Sequence, residues 1–203
     1  MEKSTKDKCL TTTITGSLPR PHWFNENLKG RSISSAYLGD FKYHEPYRDA
    51  VACCITDQSS AGLDIVTDGD MRFDMDIGGR DWFGHVYDRM GGIEDPALRS
   101  LPFGGSPREE QSGDIFHEIM VSRLPPRVTG PVDAGNLEYD VVWKIAQGLS
   151  KKPVKFGACS AQLIDMLVVN EFYKNREETI MALSEAKNHA YHKLADADCP
   201  IIQ

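Results

Sequence analysis

Residues 63–70, Leu-Asp-Ile-Val-Thr-Asp-Gly-Asp, decide the fold. Leu63 to Thr67 is a compact apolar run of strand character that delivers Asp68, Gly69 and Asp70 at its C-terminal end. Upstream, Pro46 suits a first helical turn, and Ala50, Val51, Cys54, Ile55 and Gln58 recur at three- and four-residue spacing until Gly62 closes the run. This spacing predicts a helix over 46–62. Earlier still, Thr11 to Leu18 (TTTITGSL), bounded by Pro19 and Pro21, reads as a buried strand ending in a turn at Gly16-Ser17. Strand, helix, strand in that order predicts a parallel βαβ unit with the helix as crossover.

The series resumes downstream. Pro153 to Ala158 (PVKFGA) reads as a third core strand followed by the polar turn Cys159-Ser160, and Cys199 to Gln203 (CPIIQ) begins a fourth. Helices are predicted over Gln162–Val169 and Arg176–Ala197, the latter carrying Ile180, Leu183, Ala186, Ala190 and Leu194 at helical spacing. Between the second and third strands, glycine pairs at 78–79, 91–92 and 104–105 and several prolines break the pattern from Met71 to Pro126. This region reads as an elaborated insertion, with strands at Asp114–Arg123 and Arg127–Val132 and a helix at Tyr139–Leu149. Asn25 to His44 has no clean period and reads as loop. An alternating series whose strands end in polar residues is the pattern of a (β/α) barrel, which needs eight strands and about 250 residues when complete. About four strands are read here, so the expected organisation is a polar tail over 1–10 and, over 11–203, the N-terminal half of a barrel with an insertion at about 71–150. Four strands leave two raw edges and an uncovered face, and the isolated chain is expected to associate.

Composition narrows the function. The chain has 203 residues, 40% of them hydrophobic and 26% charged, an ordinary globular balance. No stretch approaches the roughly 18 apolar residues of a membrane span, and the opening MEKSTKDKCL has no apolar core to serve as a signal, so a cytoplasmic protein is expected. Thirty acidic against 23 basic residues give a net charge of -7, which argues against nucleic acid as a partner. Five cysteines form an odd count without paired spacing, so reduced thiols are expected rather than a disulfide framework.

Four stretches, TTTITGSLPRP, AGLDIVTDGDMRFD, KKPVKFGACSAQ and KLADADCPIIQ, resemble in this order the catalytic barrel of cobalamin-independent methionine synthase and its relatives, including epoxyalkane:coenzyme M transferase. The resemblance runs from about Thr11 to Gln203. It implies an α/β fold, a (β/α)8 TIM barrel of the methionine synthase/uroporphyrinogen decarboxylase type with only its first four strands in this chain. It also implies a zinc cofactor, a small-molecule thiol bound to it as thiolate, and an alkyl donor; a metal-held thiol is deprotonated near neutral pH and is the nucleophile. Carried over residue by residue, Gly16 and Ser17 in the first turn and Asp70, where the family commonly has glutamate, would grip the thiol substrate. The family's zinc ligands, a His-x-Cys pair and a later cysteine, are expected beyond Gln203, so no metal ligand is assigned in this chain. The turn Cys159-Ser160-Ala161 replaces the family's Gly-Pro, and Met166 stands where an aromatic residue helps bind folate, which points away from a folate donor.

The candidate substrate-binding residues are thus Gly16, Ser17, Arg20, Asp68, Asp70 and Cys159. Each has a plainer alternative. Asp68 and Asp70 would equally cap a helix or pair with Arg72 or Arg80, and Ser17 would serve as a capping hydroxyl. Arg20, stiffened between prolines, offers either a fork to an anion or a tie to Asp70, and Asp74 reads as an ion-pair partner of Arg72 or Arg20. Cys159 is a site thiol or a buried wall residue, and Cys53-Cys54 reads as helix core. His189 and His192 read as a solvated helix face, while His117 is left open. Two functions follow: the substrate-gripping half of a zinc-dependent methyl- or alkyl-thiol transferase, the chain being either truncated or completed by a second polypeptide, with a homo-oligomer as the other expected association, or a non-catalytic small-ligand-binding protein that retains the fold without the metal. A metal-free decarboxylase barrel is a third, less well matched by the TGS and DGD motifs.

Overall fold

The computed structural model describes residues 9–24, 44–72, 86, 87, 89–94 and 125–203. The sequence readings at Asn25–Tyr43, Asp74, Arg80, Asp114–Arg123 and His117 lie outside them.

Helix α1 (His44–Ser60) turns Tyr47, Ala50, Val51, Cys54, Ile55 and Gln58 inward, the three- and four-residue rhythm read from the sequence. It begins two residues before the predicted Pro46. The stretch that follows is extended and parallel to the third segment: Val66 pairs with Val154, with Val66 N donating to the Pro153 carbonyl at 3.1 Å and Lys155 N to the Val66 carbonyl at 2.8 Å. On its other side, Asp64 N and Ile65 N donate to the Thr12 carbonyl and Leu18 N donates to the Gly69 carbonyl. The third segment pairs in turn with the fourth, Phe156 with Ile202, again in parallel. The four segments read as strands therefore lie side by side in chain order, but single bridges and a few backbone hydrogen bonds join them rather than continuous ladders, so the strands predicted at 63–67, 153–158 and 199–203 are present only as extended segments. One expectation is corrected: residues 11–18 form no buried strand. They are exposed or half-buried, because among the described residues they are paired only on the side facing residues 63–69.

Two described stretches of the region between the second and third segments join residues 169–170 in a small sheet. Strand β1 (Gly91–Glu94) runs antiparallel to β2 (Arg127–Asp133), which runs parallel to β3 (Val169–Asn170). Gly91 and Gly92, read as interruptions, open β1. The predicted strand at 127–132 is present as β2, and the predicted helix at 139–149 is α2 (Tyr139–Gly148), whose Trp143 indole donates to the Val154 carbonyl at 2.9 Å and locks the helix onto the third segment.

The helix predicted over 162–169 is shorter. Helix α3 (Ala161–Asp165) ends at Met166, and Val169 leaves to join β2 through its N–H to the Pro126 carbonyl at 2.8 Å. Pairing with a strand more than forty residues upstream outweighed local helical spacing at β-branched Val168-Val169. Helix α4 (Arg176–Asp196) matches its prediction within a residue; Asn175 caps it by accepting from Glu178 N, and Thr179, Leu183, Ala186, Ala190 and Leu194 face the core. Val51, Val66, Phe156, Val142, Ala146 and Leu183 join α1, α2, α4 and the parallel segments in one apolar cluster. No helix of the described residues is long and apolar enough to cross a membrane.

Candidate functional site

A cavity of about 530 Å³ opens where the four parallel segments end. Its wall takes Ile14 to Ser17 from the first segment, Thr67 and Asp70 from the second, Lys155 and Gly157 to Ser160 from the third, and Gln203 from the fourth. The C-terminal rim is where barrel enzymes hold their substrates, since each strand there hands over a loop free to vary.

The floor is built from the second segment outward. Gln58 on α1 acts as a surrogate strand partner: its amide donates to the Thr67 carbonyl and accepts from Thr67 N, both at 2.9 Å. This pins the point where the chain turns into Asp68-Gly69-Asp70. Gly69 has φ +69°, a conformation that side chains rarely adopt, and a Cβ there would stand 2.8 Å from Cys54 Sγ. Gly69→Ala is therefore expected to lower stability by roughly 1–3 kcal/mol, read as a shift in the urea midpoint; a loss below about 0.5 kcal/mol would contradict the tight turn. Asp70 itself sits at φ +55°, left-handed and strained for a residue with a side chain.

Arg72 organises the carboxylates. Its guanidinium is 2% exposed, lies 2.6 Å from Asp68 Oδ2 and 3.1 Å from Asp70 Oδ1, donates to the Gly157 carbonyl, and stacks over the Phe156 ring at 4.6 Å. Asp68 also accepts from Asp70 N at 3.0 Å. Asp68 is thus a buried brace that does not line the cavity, whereas Asp70 keeps an edge toward it and accepts from the Ser17 hydroxyl at 3.4 Å. Burial pushes the Asp70 carboxyl above the usual carboxylate range, and Arg72 draws it back. Arg20 donates to the Asp70 carbonyl at 3.5 Å, and it is not part of the cavity wall.

The opposite wall carries Cys159. Burial pushes its thiol above the ordinary cysteine value, against the pull of Lys187 and Arg72, which disfavours its thiolate. Gly16, Ser17, Asp70 and Cys159 are therefore brought to one cavity, and Arg20 and Asp68 stand behind it. Lys155, Thr15 and Gln203 were not among the candidates. Lys155 carried the signal that would have found it, a charge in the middle of an otherwise apolar strand.

His189 and His192 are exposed on α4, and Met166 is exposed at the end of α3. Cys54, Cys159 and Cys199 are buried, Cys9 and Cys53 are exposed, and none of the five forms a disulfide. Among the described residues no group of three or more His, Cys, Asp or Glu side chains is placed to hold a metal ion. Among the described residues Cys159 and Asp70 fall short of the three or four protein ligands that a zinc ion takes, so this donor set by itself does not fit that metal.

No family model matches the chain. It is similar to curated proteins named methionine synthase: that of Sulfolobus acidocaldarius is 28% identical over 196 residues, and that of Saccharolobus solfataricus 26% over 194. Each match takes in 96% of this chain and 50% and 52%, respectively, of the relative, so the chain spans about half the length of the curated relatives it matches. Among solved structures, a B12-independent methionine synthase from Shewanella sp. W3-18-1, in complex with selenomethionine, superposes with a TM-score of 0.67 at 22% identity, over 96% of this chain and 50% of that one. That likeness shows the fold: α/β, of the type in that synthase.

Proposed function

We propose that the cavity is the thiol-substrate pocket of a methyl- or alkyl-thiol transferase barrel. The observation that supports this most is the convergence of the Gly16-Ser17 turn and Asp70 on one cavity at the C-terminal ends of the parallel segments. Gly16, with φ +95° and no atom within 4 Å of where a Cβ would stand, leaves backbone open for a ligand's acid group to approach. Asp70, held at the rim by Arg72 and Ser17, offers a carboxylate to a ligand ammonium or thiol. The chain's own residues then bind and orient the thiol. In this reading the nucleophile belongs to the ligand, while burial disfavours the thiolate of Cys159. The alkyl donor, the remaining wall of the barrel and any zinc ligands come, in this reading, from outside the described residues, whether from further sequence, a second polypeptide or a second copy.

The test is calorimetric titration with homocysteine, followed by a methyl-transfer assay on the protein together with whatever co-purifies. Binding to the wild type is expected, and Asp70→Asn should weaken it about tenfold to a hundredfold, the worth of one charge-assisted hydrogen bond. No binding at millimolar homocysteine, or equal binding by Asp70→Asn, would refute the thiol pocket. Binding without turnover in any complex would favour the alternative, a ligand-binding protein that retains the fold.

A further inference from the structure

Asp70, Lys155 and Cys159 are the ionisable side chains that line the cavity, and Lys155 is the one cation in that lining among the described residues. Lys155 is 5% exposed and stands on the third parallel segment. Its Nζ donates to the Ile14 carbonyl at 2.7 Å and, at 3.4 Å, to the Thr15 hydroxyl, which also meets the Gln203 amide at 3.3 Å. An ammonium has three N–H donors. Two are spent on the strand that leads into the Gly16-Ser17 turn, so the head is fixed beside that turn with a third donor in reserve.

Resting on the reading of this cavity as a thiol pocket, we propose that Lys155 is a specificity residue: it recognises the acid group of the ligand, a carboxylate or sulfonate, while Asp70 recognises an ammonium. The cavity then selects thiols that carry an acid over thiols that carry only an amine. The two charges come from different segments, second and third, so a ligand spanning them is read at both ends. Burial pulls the Lys155 ammonium down and Asp70 draws it up, which places the Lys155 head within the field of Asp70. A partly desolvated ammonium gains more from an incoming anion than a hydrated one does, because the anion replaces solvation already lost. A lysine that only tied the first and third segments together would support every ligand equally.

Calorimetric titration of the full chain with homocysteine, 3-mercaptopropionate and cysteamine separates these roles, since the three carry both charges, the acid alone and the amine alone. Lys155→Met is expected to weaken homocysteine and 3-mercaptopropionate at least tenfold and to leave cysteamine within twofold, and Lys155→Arg to recover part of the loss. An equal loss for all three thiols, or none for the two acids, would overturn the proposal while leaving the thiol pocket standing. If the methionine variant does not fold, the wild type decides: 3-mercaptopropionate must bind and must compete with homocysteine, and its failure to do so overturns the proposal. Failure of every thiol to bind the wild type would bring down the thiol pocket and this inference together.

Discussion

Replacing Arg72 by methionine is expected to cost about 3–5 kcal/mol of stability at neutral pH, the usual loss when one partner of a buried ion cluster is removed. Arg72 Nη1 serves Asp68 and Asp70 at once, and the other nitrogen meets the Gly157 carbonyl. Methionine would keep the contact with Phe156 but leave two carboxylates and a carbonyl without their donor. The loss should depend on pH in a definite direction. The Asp70 carboxyl, already raised by burial, would rise further without Arg72. A carboxyl whose folded-state value lies above its unfolded one stabilises the fold below the unfolded value and loses that contribution as pH rises through the folded one. The deficit of Arg72→Met should therefore shrink between pH 7 and pH 5, as urea unfolding at both values would show. A deficit under 1 kcal/mol, or one that grows on acidification, would mean that the carboxylates do not depend on Arg72.

The way Asp68 and Arg72 divide the work shows what was readable beforehand. The second and third parallel segments were readable because each is a short apolar run ending in polar residues, and α1 and α4 because their buried positions recur at helical spacing. Gly16, Ser17, Asp70 and Cys159, read from the sequence as substrate-binding, line one cavity because the ends of adjacent parallel segments share one rim. Which carboxylate of DGD faces the cavity was not readable. Both sit in the same turn, and the choice depends on Arg72 reaching across to Gly157, 85 residues away in sequence. The short α3 failed for a similar reason: Val169 is captured by β2, a contact that no local spacing records. Lys155 and Lys187 were passed over because each interrupts an apolar pattern that otherwise read cleanly as core, and such interruptions carry the functional and energetic information.

Lys187 should make stability rise with pH in the alkaline range, relative to a variant that lacks it. It is 2% exposed on α4, donates to the Cys159 carbonyl, and lies 5.9 and 5.3 Å from the ring centres of Tyr139 and Tyr191. No carboxylate appears among the groups that set its charge; burial pulls its ammonium down to about 8, with Cys159 opposing and Arg72 assisting. In the unfolded chain the lysine regains its ordinary value near 10.5. Below 8 both states are protonated and the fold carries the full cost of the buried charge; between 8 and 10.5 the folded state sheds its proton first, and that cost is progressively lifted. The unfolding free energy of the wild type minus that of Lys187→Met should thus climb by about 3 kcal/mol across this window. The difference is required because other buried groups act the other way: Cys54 and Tyr191 are pushed up to about 12, and an acid so raised loses stability once the unfolded chain ionises. Urea titrations of both proteins at intervals from pH 7 to 10.5 measure it. A flat difference would show that Lys187 reaches water, and that the cation held between the two tyrosines is hydrated rather than buried.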